Sequence, residues 1–351
     1  MQLVLLALIL AAAATAATAA PLAGYEPDPT WKPTVNSTSG IKGVSSCAVG
    51  ASSVYVGQRG AGFPVLVLDG TGKVLRGFGK KGVNVKNMHG MHVQHFNSKE
   101  YLWLTDSAGS RVEKWDAATG KLLATVGTKG TGAAVGAAPQ FGSVADVAFD
   151  AAGAVYVSDG DGGPDARVMK LDGKTFRIVW VVGNNGTSAA LRKVKFSSPH
   201  SLDYDVVGHR IFVADRNDNQ LLAFDAATGA PVTGAWNEVF TTANCPKPSV
   251  WSVRCDPTSK QTFVALSNFG SGSKCPNVKA ADHKGRIAVV ATPAAGGIGK
   301  GAVSCYVAIA HGFPHEICVD ARSGAVFSSA VDTADLPAGA GLGALTKYVR
   351  K

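Results

Sequence analysis

The segment PHSLDYDVVGHRIFVADRNDNQLLAFD, residues 199–225, holds three short apolar runs separated by turn-forming residues. SLDYD (201–205), IFVAD (211–215) and QLLAFD (220–225) have the length of strands and are too short and too closely spaced for helices. Between them stand Gly, Asp and Asn, residues that tolerate the backbone of tight turns. The segment therefore predicts a meander of antiparallel strands. It continues into DAATGAPV (225–232), an Asp/Gly turn with a further apolar run behind it.

The same pattern recurs along the chain. The middle strand has counterparts in VYVGQ (54–58), LWLTD (102–106), VYVSD (155–159), TFVALSN (262–268) and AVFSSA (325–330). The aligned ends Gln58, Asp106, Asp159 and Asp215 are separated by 106 − 58 = 48, 159 − 106 = 53 and 215 − 159 = 56 residues. DVAFD (146–150), SVRCD (252–256) and EICVD (316–320) repeat the strand before it, and VLVLDGTGKVLRGFG (65–79), RVEKWDAATGKLLATVG (111–127) and RVMKLDGKTFRIVWVVG (167–183) repeat the hairpin after it. A unit of four antiparallel strands exposes two edges and cannot bury both faces alone. Six such units packed radially bury the faces and leave short edges, so the repeat predicts an all-β, six-bladed β-propeller over residues 41–351. The sixth unit runs short, with LTKYVRK (345–351) as its last strand, and the segment 21–40 is the candidate to complete it and close the ring.

The 351 residues suffice for one large domain, and 42 glycines with a charged fraction of 17% suit a turn-rich β-protein. Residues 1–20, MQLVLLALILAAAATAATAA, have the short apolar core and small-residue end of a secretory signal peptide, so the mature chain is expected in the secretory pathway or outside the cell, with no stable membrane span. Six cysteines (Cys47, Cys245, Cys255, Cys275, Cys305, Cys318) and the sequons at Asn36 and Asn185 agree with export; the pairing of the cysteines is not readable. A formal charge of +9 is spread thinly, without a basic helix or an aromatic-interleaved patch, which argues against nucleic acid and for a mild attraction toward anionic ligands.

Three histidines occupy equivalent places. His89 in NMHGMHV, His200 in SPHSLDYD and His315 in GFPHEICVD open the inner strands of units 2, 4 and 6, at separations of 200 − 89 = 111 and 315 − 200 = 115 residues. Units 3 and 5 carry Ala145 and Trp251 there. Alternate blades of a six-fold ring are related by about 120°, so the three imidazoles are expected to meet at the axis. Three nitrogen ligands with a fourth position open suit a catalytic Zn²⁺. Strand parity places His92 on the opposite face, and His95, His209, His283 and His311 fall in loop-like contexts; all five are left out. Antiparallel order brings the ends of the second strands to the same rim, with Arg59, Asp161 and Arg216. Two guanidiniums beside a metal suit a substrate carboxylate, while Asp159 and Asp215 are expected to bond nearby backbone.

FGSVADVAFDAAGAVYVSDG, FPHEICVD and the 199–225 segment together resemble the propeller of peptidyl-α-hydroxyglycine α-amidating lyases, of the NHL-repeat type. The resemblance implies that His89, His200 and His315 bind zinc and that Arg216 and Arg59 hold substrate. It also implies that Glu316, which follows the third His, takes the place of a carboxylate on a structural Ca²⁺. The implied reaction cleaves a peptide's C-terminal α-hydroxyglycine to the peptide amide and glyoxylate. The substrate would be supplied by a separate copper monooxygenase. Where the family has a Tyr after SDG this chain has Asp161, which becomes the candidate base, and the family's nearby Cys pairs are replaced around Gly162, Phe212 and Ala223. The alternative is a non-catalytic NHL propeller that binds a peptide or protein and keeps its metal structurally. A calcium lactonase type is disfavoured because its central Glu, Asn and Asp ligands are His here.

Overall fold

In the computed structural model, the described residues are 24–31, 33, 43–59, 62–80, 85–163, 165–232, 248–267, 285–292, 303–309, 314–331 and 345–351. The expected signal peptide, Asn36, Cys245, Cys275, His283 and His311 lie outside them, as does the side chain of Cys305.

Six antiparallel sheets surround one axis. Blade 1 runs from its inner strand Val44–Val49 through Val54–Gln58 and Val65–Leu68 to Val74–Phe78. Blades 2 and 3 repeat that order from the inner strands Met88–Phe96 and Val144–Phe149. Blade 4 contributes Pro199–Asp205, Arg210–Asp215 and Gln220–Asp225, and blade 5 begins at Ser249–Asp256. Blade 6 joins chain ends: Glu316–Asp320, Ala325–Ser329 and Leu345–Arg350 are completed on the outside by Tyr25–Pro27, with Tyr25 opposite Arg350. Among the described residues the single helix is the short Ala189–Lys193, and no helix is long and apolar enough to cross a membrane.

Each middle strand is apolar on both faces because each blade is sandwiched between two others. Ile211 and Val213 pack toward blade 3, whereas Phe212 and Ala214 between them pack toward blade 5. Val54 and Val56 likewise face blade 6, and Tyr55 faces blade 2. Period-two alternation thus divides one strand between two seams, and six hydrophobic clusters fill the six seams. The hairpin turns use one device repeatedly. Asp116, Asp172 and Asp225 each accept hydrogen bonds from the backbone N–H and hydroxyl of a Thr three residues on, at 2.7–2.8 Å.

The ring is closed a second time at its centre. Cys47 on the inner strand of blade 1 is bonded to Cys318 on the inner strand of blade 6, across a sequence separation of 271 residues. Cys255 is a free thiol next to the Thr262 hydroxyl. Because the bridge constrains so long a loop in the unfolded chain, the double variant Cys47→Ser/Cys318→Ser is expected to lose about 2–4 kcal/mol in urea unfolding while keeping its far-ultraviolet spectrum.

Candidate metal centre

A β-bulge recurs at the start of the inner strands. In blade 4, Pro199 pairs with Asp215 and Ser201 with Ala214, so His200 is the extra residue. The same shift leaves Ser45, Ala145 and Trp251 unpaired in blades 1, 3 and 5, and in blade 2 it falls between Met88 and Met91, at His89 and Gly90. A bulged residue is freed from the ladder, and its side chain can be aimed elsewhere. Here it is aimed along the axis.

In blades 2, 3 and 4 the incoming segment is held by a carboxylate. Asp215 accepts the backbone N–H groups of Ser197 and Ser198, at 3.1 and 2.6 Å, just before His200. Asp106 does the same for Lys86 and Asn87 before His89, and Asp159 for Gly142 and Ser143 before Ala145. Asp159 and Asp215 therefore bond backbone, as their positions suggested. Burial pushes the Asp215 carboxyl up to about 6, against the pull of the two backbone donors.

The three imidazoles meet. His89, His200 and His315 are buried, their ring centroids lie 4.8, 4.9 and 4.9 Å apart, and one nitrogen from each falls within 4.8 Å of the others. Each Nδ1 lies 2.8 Å from the bulge carbonyl of the following blade: His89 from Ala145, His200 from Trp251 and His315 from Ser45. A carbonyl accepts and cannot donate, so each Nδ1 donates to it; this leaves Nε2 of His200 and His315 directed at the axis, while Nε2 of His89 meets the Asp161 carboxylate at 2.8 Å. Nε2 of His200 is buried with no hydrogen-bond partner among the described residues. Burial, reinforced by the neighbouring positive groups, pushes His200 and His315 well below the usual imidazole value, which favours the neutral form that ligates a metal. This set of donors fits a single Zn²⁺ with three protein ligands.

The rim residues converge as well. Asp161 Oδ2 lies 2.8 Å from His89 Nε2, and its Oδ1 lies 2.9 Å from the Arg216 guanidinium. Burial would raise the Asp161 carboxyl, but His89, His200 and Arg216 together hold it well below the usual carboxylate range. Arg216 also lies over the Trp251 ring at 4.8 Å. Arg59 donates from Nε to the Met88 carbonyl at 2.9 Å, one residue before His89, with Asp161 and Arg216 as charged neighbours.

Two residues fall differently from the sequence expectation. His92 was placed on the opposite strand face, but the bulge adds a residue and reverses the parity, so His92 points into the channel, 3.7 Å from Asp146. It sits below the three-His cluster and is not part of it. Glu316 is fully buried, but its neighbour is the Arg254 guanidinium at 3.1 Å, and this arrangement does not fit a calcium ion at that carboxylate. Burial pushes Glu316 up to about 8. Arg254 and Asp146 were not singled out from the sequence. The signal available was a charged residue within an inner strand, in SVRCD and DVAFD. His95 is exposed beside Glu100, and His209 meets Tyr204 in a turn.

The fold and this centre define the class as a six-bladed β-propeller with three axial histidines. No protein-family profile matches the chain. It is 36% identical over 282 residues to NHL repeat-containing protein 3 of Mus musculus and 34% identical over 280 residues to that of Homo sapiens; each alignment covers 78% of this chain and 72% of the relative. The chain belongs to the NHL repeat-containing proteins. It is also 29% identical over 156 residues, 42% of either chain, to the probable peptidyl-alpha-hydroxyglycine alpha-amidating lyase pgal-1 of Caenorhabditis elegans. Among solved structures, that of U3-55K superposes with a TM-score of 0.52 at 10% identity, over 88% of this chain and 80% of the other, a likeness of fold alone.

Replacing Asp215 by Ala leaves two buried backbone donors without their acceptor. The variant is expected to lose about 1–3 kcal/mol in urea unfolding and to bind zinc more weakly through a displaced His200. Unchanged zinc affinity would show that Asp215 does not position the ring.

Proposed function

We propose that this chain is a zinc-dependent, secreted lyase that cleaves the N–Cα bond of a peptide's C-terminal α-hydroxyglycine. The observation that carries the proposal is the triangle of three imidazole nitrogens with Arg59 and Arg216 at its rim. The partial likeness to the probable lyase of Caenorhabditis elegans supports it.

His89, His200 and His315 would hold the zinc, which when bound supplies Lewis acidity toward the substrate hydroxyl. Arg216 and Arg59 bind the terminal carboxylate by charge-assisted hydrogen bonds and fix the reacting carbon over the three rings. Trp251 stacks under Arg216 and keeps its guanidinium oriented. Asp161 takes the hydroxyl proton as the carbon–oxygen double bond of glyoxylate forms. The electron pair of the breaking C–N bond stays on nitrogen, and Asp161 returns the proton there to give the peptide amide. Binding the substrate carboxylate to Arg216 releases Asp161 from one of its two present partners, which raises the basicity of its carboxylate.

A second reading rests on that same contact. Asp161 already bridges His89 and Arg216, so it can serve as a built-in counter-ion that caps a structural metal. The protein would then be a peptide-binding or protein-binding propeller without turnover, in keeping with the names of the two NHL repeat-containing relatives.

Incubation of the zinc-loaded protein with an α-hydroxyglycine peptide separates the two. Metal-dependent release of glyoxylate is expected, abolished in His200→Ala together with zinc. Arg216→Ala should retain zinc and raise KM by about tenfold to a hundredfold, the worth of one charge-assisted contact of about 1.5–3 kcal/mol. Full zinc occupancy with no glyoxylate from the wild-type chain would overturn the lyase in favour of the second reading.

A further inference from the structure

Below the three histidines the channel is crossed by a second polar cluster, built around one guanidinium. Arg254, on the inner strand of blade 5, is buried. Its Nη1 lies 3.0 Å from Asp146 Oδ2 of blade 3, 3.0 Å from the Ser201 hydroxyl and 3.3 Å from the Leu202 carbonyl of blade 4, and 2.7 Å from the Val253 carbonyl. Its Nη2 lies 3.1 Å from Glu316 Oε1 of blade 6. Ser201 in turn donates to Asp146 at 2.9 Å, and the Ser252 hydroxyl donates to Glu316.

Carboxylates, carbonyls and hydroxyls converging on one positive centre, with no nitrogen or sulfur donor, are the ligand chemistry of a hard divalent cation. Here a protein side chain occupies the centre. A calcium ion drawn to Asp146 and Glu316 would have to share their oxygens with a guanidinium in direct contact with both, at a cost in like-charge repulsion that a buried site magnifies. We propose that Arg254 is the resident cation of this channel, standing in for a structural calcium ion, and that the cross-brace between blades 3, 4, 5 and 6 is therefore independent of calcium. The exchangeable metal is confined to the histidine level above.

Gly90 fits the same picture from blade 2. A Cβ there would collide with the Asp146 carboxylate, so the glycine leaves the acid room to reach Arg254. The covalent attachment of the cation has a consequence for selectivity: depletion of calcium in the surroundings leaves the brace intact, whereas loss of the arginine leaves the buried Asp146 and Glu316 carboxyl groups without their shared partner.

The test uses the full chain, stripped of divalent ions and reloaded with an equivalent of zinc, then titrated with calcium chloride while thermal unfolding and metal content are measured. For the wild-type chain the expected result is an unchanged Tm up to millimolar calcium and no calcium retained through gel filtration. A Tm that climbs with calcium, or a stoichiometric calcium that survives gel filtration, would overturn the proposal whether or not the protein turns over substrate. Arg254→Gln removes the charge and leaves a shorter, neutral amide that can still hydrogen-bond. It is expected to unfold several degrees lower in calcium-free buffer and to recover part of that shift when calcium, but not potassium, is added. A variant as stable as the wild type in calcium-free buffer would also overturn the proposal, and should the variant fail to fold, the wild-type titration decides alone.

Discussion

Everything at the axis depends on a hydrogen bond made three times: an imidazole Nδ1 to the bulge carbonyl of the next blade, at 2.8 Å in every case. The partner belongs to a neighbouring blade rather than to the histidine's own strand, so the orientation of each ring is a property of the ring closure. If the blades were spread further apart, the carbonyl would be out of reach and the imidazole free to rotate. The seams fix that spacing. Each middle strand packs one set of residues to the left and the alternate set to the right, as Phe212 and Ala214 do against Ile211 and Val213. Apolar packing thereby sets the pitch, and the pitch sets the direction of three imidazole rings.

The channel divides electrostatically into three levels. At the rim, Arg59, Arg216 and Asp161 present a net positive face with one embedded carboxylate. In the middle, burial keeps His200 and His315 neutral, the form in which an imidazole ligates. Beneath them Asp146 and Arg254 pair fully out of water, and Asp146 is held well below the usual carboxylate range because Arg254 and His92 outweigh the effect of burial. Both partners find their oxygens and nitrogens only when the blades are in register, so removing either one leaves a buried charge uncompensated. The two levels thus use opposite strategies: neutral donors above, compensated charges below.

Much of this was legible in the sequence because the repeat made distant residues comparable. Aligning IFVAD with VYVSD and LWLTD located the blades, and the same alignment put His89, His200 and His315 at equivalent places on alternate ones. The backbone role of Asp159 and Asp215 was legible too, since a turn-flanking Asp has few better options than a nearby N–H. What could not be read has physical causes. His92 was assigned by strict alternation, which a one-residue bulge reverses, and NMHGMHV carries no local mark of the bulge except Gly90. The Cys47–Cys318 bond depends on closure between the first and last inner strands, a contact between residues 271 apart that pairwise spacing does not encode. The role of Arg254 is not legible locally, because a charge on an inner strand has meaning only once the residues across the channel are known, and Asp146 and Glu316 come from two other blades.

The central claim is that one ion can be held by three nitrogens at once, each already oriented by its neighbour. Nitrogen-15 NMR of histidine-labelled protein during a zinc titration tests it most directly. The account predicts that the Nε2 signals of His89, His200 and His315, assigned by single substitution, shift together and saturate at an equivalent of zinc, while their Nδ1 signals remain protonated. Saturation of fewer than three rings, or a proton found on Nε2 with Nδ1 ligated, would contradict it.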